Sequence, residues 1–274
     1  MFRIKRAIAR AKAEQKNWDA IIHRCTGAIR ANPNDGTAFG ERGIAWFKKT
    51  EYAKALADLD KALELEPNSA RWLTERGKLH YERGDWDEAL FEFDRAIDAD
   101  SNYADAYSER GNIRAHNRDW DRALYNFNEA VRLNPNQRDY RLARAEVHAR
   151  AKRWIQAIED FNRAIELDPR DAVRIAKRGV ARGELGLLAE AIADFDRAIM
   201  LDPSYAFGYM NRGATRGLLK QWPAALADFD KALEIEPDMV EALHNRCALR
   251  FKQNQFEKAI GDADQFVALE RNAD

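Results

Sequence analysis

Apolar residues recur three and four positions apart along this chain, in runs broken by short polar stretches. In WDEALFEFDRAIDAD, Trp86, Ala89, Leu90, Phe93, Ala96 and Ile97 fall on one side of a 3.6-residue helix. The pattern predicts amphipathic helices. Six of the seven prolines, Pro33, Pro67, Pro135, Pro169, Pro203 and Pro237, lie on a grid of 34 residues, with Ser101 and Arg271 at the grid points that lack one. The period divides the chain into eight repeats: 2–35, 36–69, 70–103, 104–137, 138–171, 172–205, 206–239 and 240–273. Asn17, Asp85 and Asp119 precede the aromatic that opens the second helical run of a repeat and are placed to accept its first N–H groups. The grid prolines sit just past that run, so each repeat is expected to be helix, short turn, helix, short turn. Pro223, off the grid, follows Trp222 at the opening of such a helix, where a missing N–H costs nothing.

Aligned on the period, the first helices carry a column of small residues: Ala9, Gly43, Gly77, Gly111, Ala145, Gly179, Gly213 and Cys247. A glycine inside a helix costs about 1 kcal/mol relative to alanine, so close packing must offset it. The second helices carry a matching small column, Ala55, Ala89, Ala123, Ala157, Ala191, Ala225 and Ala259, with Ile21 the exception. A bulky column, Leu59, Phe93, Phe127, Phe161, Phe195 and Phe229, fills the space between helices, and a further alanine column, Ala28 to Ala232, makes room for the next repeat.

These glycine, alanine, phenylalanine and proline columns together resemble the tetratricopeptide repeat. The wording NRGATRGLLKQWPAALADFDKALEIEPD is similar to bacterial members. The resemblance implies an all-α fold, a right-handed α-solenoid of stacked antiparallel helix pairs forming a single array over 1–274, with first helices lining a concave groove. It departs from the family in two columns: the usual first-helix leucine is replaced by Arg42, Arg76, Arg110, Arg144, Arg178, Arg212 and Arg246. The family's tyrosine is likewise replaced by Trp46, His80 or an arginine.

Composition narrows the function classes. The 45 Lys and Arg residues balance 46 Asp and Glu residues, leaving a net charge of -1, without the basic surplus that sequence-independent nucleic-acid binding needs. Cys25 and Cys247 form neither a disulfide framework nor a CxxC metal site, which suits a reducing, cytoplasmic location. No segment approaches 18 consecutive apolar residues, so membrane insertion is not expected. The basic start MFRIKRAIARAKAEQKNW fits the first repeat better than a transit peptide.

The arginine column admits two readings, a ladder that binds a ligand or a set of internal ion pairs. Second helices carry a parallel acidic ladder that includes Asp58, Glu92, Asp160, Asp194, Asp228 and Asp262, and internal pairing is the simpler account. The first repeat has Ile8 in place of the arginine and lacks the acids, which suggests partners within one repeat. The aromatics Trp18, Tyr52, Trp86, Trp120, Trp154, Trp222 and Phe256 occupy one column and read as core or staple. Both cysteines replace packing residues and read as buried fillers. The five histidines show no HExxH spacing, and no nucleophile elbow or phosphate loop is present, so neither enzymatic activity nor a cofactor or catalytic metal is expected.

Function is therefore expected in the groove. Carried over from the family, its first-helix positions give a basic end at Arg6, Arg10, Arg71, Thr74 and Lys78, then Asp105, Ser108, Asn112 and His116. The apolar end comprises Val173, Ala176, Val180, Phe207, Met210, Ala214 and Leu218, with Gly183 and Gly217 leaving space. Such a stripe outside the packing columns favours a docking patch for a helix or extended peptide of a protein partner. The alternative is cover by self-association or by the superhelix closing on itself. Some family members clamp a terminal carboxylate with Lys and Asn; here Arg6, Arg10 and Glu41 stand at those positions, a poor match. In the last repeat Ala263 and Phe266 exchange the large and small columns, and Phe266 and Val267 are expected to be exposed. That face is expected to make homo-oligomers, as a structural assembly module would, or to be followed by more chain.

Overall fold

The computed structural model describes the backbone of residues 2–271 and the side chains of residues 16–269 and Arg271. The described residues form fifteen helices and no strand. In chain order they are α1 (Phe2–Ala31), α2 (Gly36–Lys48), α3 (Tyr52–Leu65), α4 (Ala70–Arg83), α5 (Trp86–Ala99), α6 (Ala104–His116), α7 (Trp120–Leu133) and α8 (Arg138–Arg150). There follow α9 (Trp154–Leu167), α10 (Ala172–Glu184), α11 (Leu188–Leu201), α12 (Ala206–Leu218), α13 (Trp222–Ile235), α14 (Val240–Lys252) and α15 (Phe256–Arg271). Every grid proline lies two residues beyond the end of a helix, as in α13, which ends at Ile235 before Pro237.

Within a repeat, the turn between helices is made by one left-handed residue at a fixed place. Thr50, Gly84, Arg118, Lys152, Gly186, Lys220 and Asn254 all have φ between 57° and 83° and recur on the 34-residue period. Asp119 caps α7 as expected, accepting from Arg122 N at 3.3 Å, but Asp85 makes no cap hydrogen bond and faces Arg83 at 3.2 Å instead. Asp35 and Asp171 cap first helices by accepting from Ala38 N and Arg174 N.

The first repeat departs from the expected helix pair. α1 runs without interruption through Asn17, which is therefore not a cap. Nothing between residues 12 and 22 breaks a helix, since the stretch contains neither proline nor glycine. Ile21 stands where the other repeats have alanine, and Cys25 where they have a bulky ring, so the small-against-small seat and the knob that hold a folded-back helix are both missing.

Contacts group the chain into two compact bodies, Met1–Tyr140 and Arg141–Asp274. In the first, α2 packs on α3, α4 on α5 and α6 on α7, while α3 meets α4 and α5 meets α6. The second repeats this with α10 on α11, α12 on α13 and α14 on α15, and first helices also touch, α10 with α12 and α12 with α14. The glycine column is the seat of the bulky column in both bodies. A Cβ added to Gly77 would lie 2.5 Å from the Phe93 ring, and one on Gly179 or Gly213 would lie 2.8 or 2.9 Å from Phe195 or Phe229. At Gly111 and Gly43 the distances to Phe127 and Leu59 are 3.0 Å. The close packing that offsets the helix cost of glycine is thus direct contact with an aromatic or leucine side chain. Cys25 is buried, and burial pushes its thiol above the usual range. Cys247 is only half-buried, because the residue opposite it is the small Ala263, and its Sγ donates to the Ala259 carbonyl at 3.3 Å.

Candidate functional site

The arginine column faces inward to acids. Arg42 donates through Nε and Nη2 to both oxygens of Asp58, each at 2.7 Å. Arg144 on Asp160 (2.8 and 2.7 Å), Arg178 on Asp194 (3.0 and 2.5 Å) and Arg212 on Asp228 (3.1 and 2.6 Å) do the same. The remaining Nη1 reaches the preceding repeat, from Arg76 to Asp60 (2.7 Å), Arg110 to Asp94 (2.6 Å), Arg212 to Asp196 (2.5 Å) and Arg246 to Asp230 (2.7 Å). The expected pairing within a repeat is observed, and a second link adds to it: one guanidinium also ties its own repeat to the one before. Burial alone would lower the Arg212 pKa, but the hydrogen bonds it donates to Asp228 and Asp196 outweigh it and raise the pKa. These arginines are engaged internally, so recognition must use other side chains.

The groove residues read from the sequence separate into three groups. Thr74, Ser108, Ala176 and Met210 share one repeat position and are all buried, Met210 at 8% exposure against Leu243 and Ala242. That position faces the neighbouring first helix; Gly40 and Leu142 there are buried as well, whereas His244 in the last repeat is exposed. At Gly40 an added Cβ would meet the Trp72 ring at 2.6 Å, which shows how tightly this seam closes. The second group is basic, and its two members are held differently. Lys78 lies 2.9 Å from Glu75 and 3.8 Å from Glu109, and although burial would lower its pKa, these carboxylates raise it. Arg71 is exposed with its guanidinium 4.4 Å above the Trp72 ring. The side chains of Arg6 and Arg10 lie outside the described residues.

The third group lines two open clefts within the second body. One, of ≈ 290 Å³, is walled by Ala149, Trp154, Phe161, Val180 and Phe207, with Glu146, Arg150 and Lys177 at its polar side. Lys177 Nζ and Glu146 form an ion pair at 2.6 Å there. The other, of ≈ 330 Å³, is walled by Ala214, Gly217, Leu218, Trp222, Phe229, Ala248 and Leu249, with Asn245 and Lys252 beside them. Val180 and Phe207 therefore line the first cleft and Ala214 and Leu218 the second, whereas Val173 is half-buried and lines neither. Leu218 is 70% exposed. Trp154 and Trp222 were expected as core or staple. Both are half-buried and present one flank to a cleft, with Lys252 Nζ 4.9 Å above the Trp222 ring. A third ring of this column, Trp86, is met edge-on by His116 at 4.4 Å.

The tetratricopeptide repeat family model matches residues 6–70, 41–105, 74–137 and 108–172, and a second model of the same description matches residues 176–205. The chain belongs to the tetratricopeptide repeat family. Among solved tetratricopeptide structures it is similar to YrrB, described as a TPR protein with an unusual peptide-binding site, at 27% identity and a TM-score of 0.62, covering 68% of this chain and 96% of that one. It is also similar to the C-terminal part of a TPR repeat-containing protein from Cytophaga hutchinsonii, at 15% identity and a TM-score of 0.66 over 86% of this chain and 98% of that one. Pseudomonas aeruginosa PilF matches at 17% identity and a TM-score of 0.66, over 76% and 95% of the two chains. The last two likenesses show the fold alone. A search of curated proteins finds no match.

As a tetratricopeptide repeat protein the chain has an all-α solenoid scaffold of a kind that generally mediates protein–protein interaction and is typically not enzymatic. Among the described residues no helix is long and apolar enough to cross a membrane. Its arginine column replaces an apolar contact of the tetratricopeptide core with ion pairs to buried acids such as Asp58, Asp160, Asp194 and Asp228. The sequence signal for the clefts was present in Ala149 and Gly217, small residues that face a tryptophan across open space.

Proposed function

We propose that this protein is a scaffold or adaptor that holds a segment of a partner protein in the clefts of its second body, and that it binds rather than catalyses. The observation that carries this reading is the pair of apolar clefts whose walls include Leu218, Trp154 and Trp222, side chains left partly open although they are large and apolar. The peptide-binding site named for YrrB, at 27% identity, supports a peptide as the class of partner. The repeats over 1–274 are read as one array, and the two unpaired cysteines suit the cytoplasm.

The test is selection of peptides from a displayed random library on the whole chain, followed by affinity measurement on Trp154→Ala and Trp222→Ala. Selected peptides should bind at least tenfold more weakly to one variant or both, with circular dichroism unchanged. Equal affinity for wild type and both variants, or no enrichment over the bare support, would remove the clefts from function.

A second reading, self-assembly through the last repeat, is favoured by Val267. Its counterparts Leu63, Val131, Ile165, Ile199 and Leu233 are buried, whereas Val267 is 42% exposed. If this face associates, light-scattering mass should rise with concentration for the wild type and stay monomeric for Val267→Glu. A mass independent of concentration in both would end this reading.

A further inference from the structure

We infer that the two clefts are one site built twice, and that together they hold an extended acidic segment by two bulky apolar side chains, one in each. The inference rests on the peptide-binding reading above and specifies its ligand. The walls correspond residue by residue: Trp154 with Trp222, Phe161 with Phe229, Ala149 with Gly217, and Val180 with Ala248, each pair separated by twice the 34-residue period. In the repeat between them the tryptophan position is held by Leu188, so the two clefts stand two repeats apart.

Size and charge select the ligand. An apolar cavity of about 150 Å³ is enough for benzene, so clefts of ≈ 290 and ≈ 330 Å³ each have room for one aromatic or large aliphatic side chain. The charged groups around them are mostly cationic. Arg150 and Lys177 accompany the single acid Glu146 at the first, and Lys252 stands over Trp222 at the second, where no acid lines the wall. Each cleft therefore favours an apolar side chain with a carboxylate next to it, and disfavours a basic neighbour.

Spacing follows from helix packing. First helices of neighbouring repeats lie side by side here, α10 with α12 and α12 with α14. Packed helices stand about 8–10 Å apart, so two steps give roughly 16–20 Å. An extended chain advances about 3.3 Å per residue, which puts the two anchors about five or six residues apart.

The experiment uses synthetic peptides with two Phe-Asp pairs separated by one to twelve Gly and Ser residues, and a peptide with a single Phe-Asp pair. Each is titrated into the whole chain by calorimetry while the indole N–H signals of Trp154 and Trp222 are followed by NMR. Affinity should peak when the phenylalanines are five or six positions apart, at least tenfold above the single-anchor peptide, with both indole signals shifting. Gly217→Leu blocks the second cleft without crowding the fold, because an added Cβ there meets nothing within 4 Å. It should reduce the best two-anchor peptide to single-anchor affinity. Exchanging Asp for Lys in that peptide should weaken binding at least tenfold. Affinity independent of spacing, with the indoles still shifting, would overturn the two-anchor inference and leave peptide binding standing. Equal affinity of the Asp and Lys peptides would overturn the acidic preference, and no shift of either indole by any peptide would overturn both readings together.

Discussion

Replacing Asp194 with alanine is expected to cost about 3–5 kcal/mol in urea denaturation, because it strands two guanidinium groups that have little other solvation. Asp194 is buried and accepts from Arg178 through both oxygens and from Arg182 at 2.7 Å. Asparagine is the informative second substitution. The molecule already contains one such case: Asn126 stands at this repeat position, accepts from Arg110 Nε at 2.7 Å, and leaves Asp94 as the counter-charge. Asp228→Asn should be the milder change: Arg216 at 2.7 Å loses its charged partner as Arg182 does, but Arg212 keeps Asp196 at 2.5 Å. Asp194→Asn should be clearly worse, because the other neighbour of Arg178 is the neutral Asn162 at 2.7 Å. A loss under about 1 kcal/mol for Asp194→Ala, or equal losses for the two asparagine variants, would mean that the pairs are solvated well enough to be dispensable.

The comparison between Asp194 and Asp228 also shows what sequence can and cannot convey about this fold. The period and the small and bulky columns are legible because each is written many times over, and a contact such as Gly179 against Phe195 recurs as Gly213 against Phe229. The partner of each arginine is half legible. The acid ladder is plain, but the link from Arg246 back to Asp230 depends on which way a long side chain divides its donors between two repeats. The turn residues are less legible still. Gly84, Gly186 and Asn254 suit a left-handed backbone, whereas Thr50, Arg118, Lys152 and Lys220 adopt it because helix packing on either side demands it.

The groove was misread at a single register position. Met210 and Ala176 follow the helical spacing of Phe207, Ala214 and Val173, Val180, and an amphipathic stripe by itself does not say where the neighbouring first helix closes over it. Gly40 and Leu142, one too small and one too apolar for a solvated wall, point to that closure, while Arg6 and His244 at the same position obscure it. The space at Gly217 is legible in the sequence, but the outline of the clefts is not. A cleft is defined by missing volume, and a residue that leaves it empty, such as Ala149, looks like an ordinary member of a small-residue helix.

Phe161→Ala is expected to cost about 3–5 kcal/mol, from lost apolar burial together with the cavity left behind. The ring is 1% exposed and packs with Leu142, Ala145, Ala157 and Ala164, residues too short to reach into the vacated space. Leucine should do far better, at under about 1.5 kcal/mol, because the same column already uses Leu59 in the second repeat and the volume change is small. The loss should also be local. In repeat arrays each unit is held by its immediate neighbours, so energy removed at one unit is not shared evenly along the chain. Hydrogen exchange of Phe161→Ala should therefore show amides of α9 and the adjoining part of α10 exchanging much faster, while those of α12 and α13, seated around Phe229, keep most of their protection. Uniform acceleration from α9 to α13 would instead mean that the second body opens as one cooperative unit, with the buried arginine pairs coupling repeats more tightly than apolar packing alone would do.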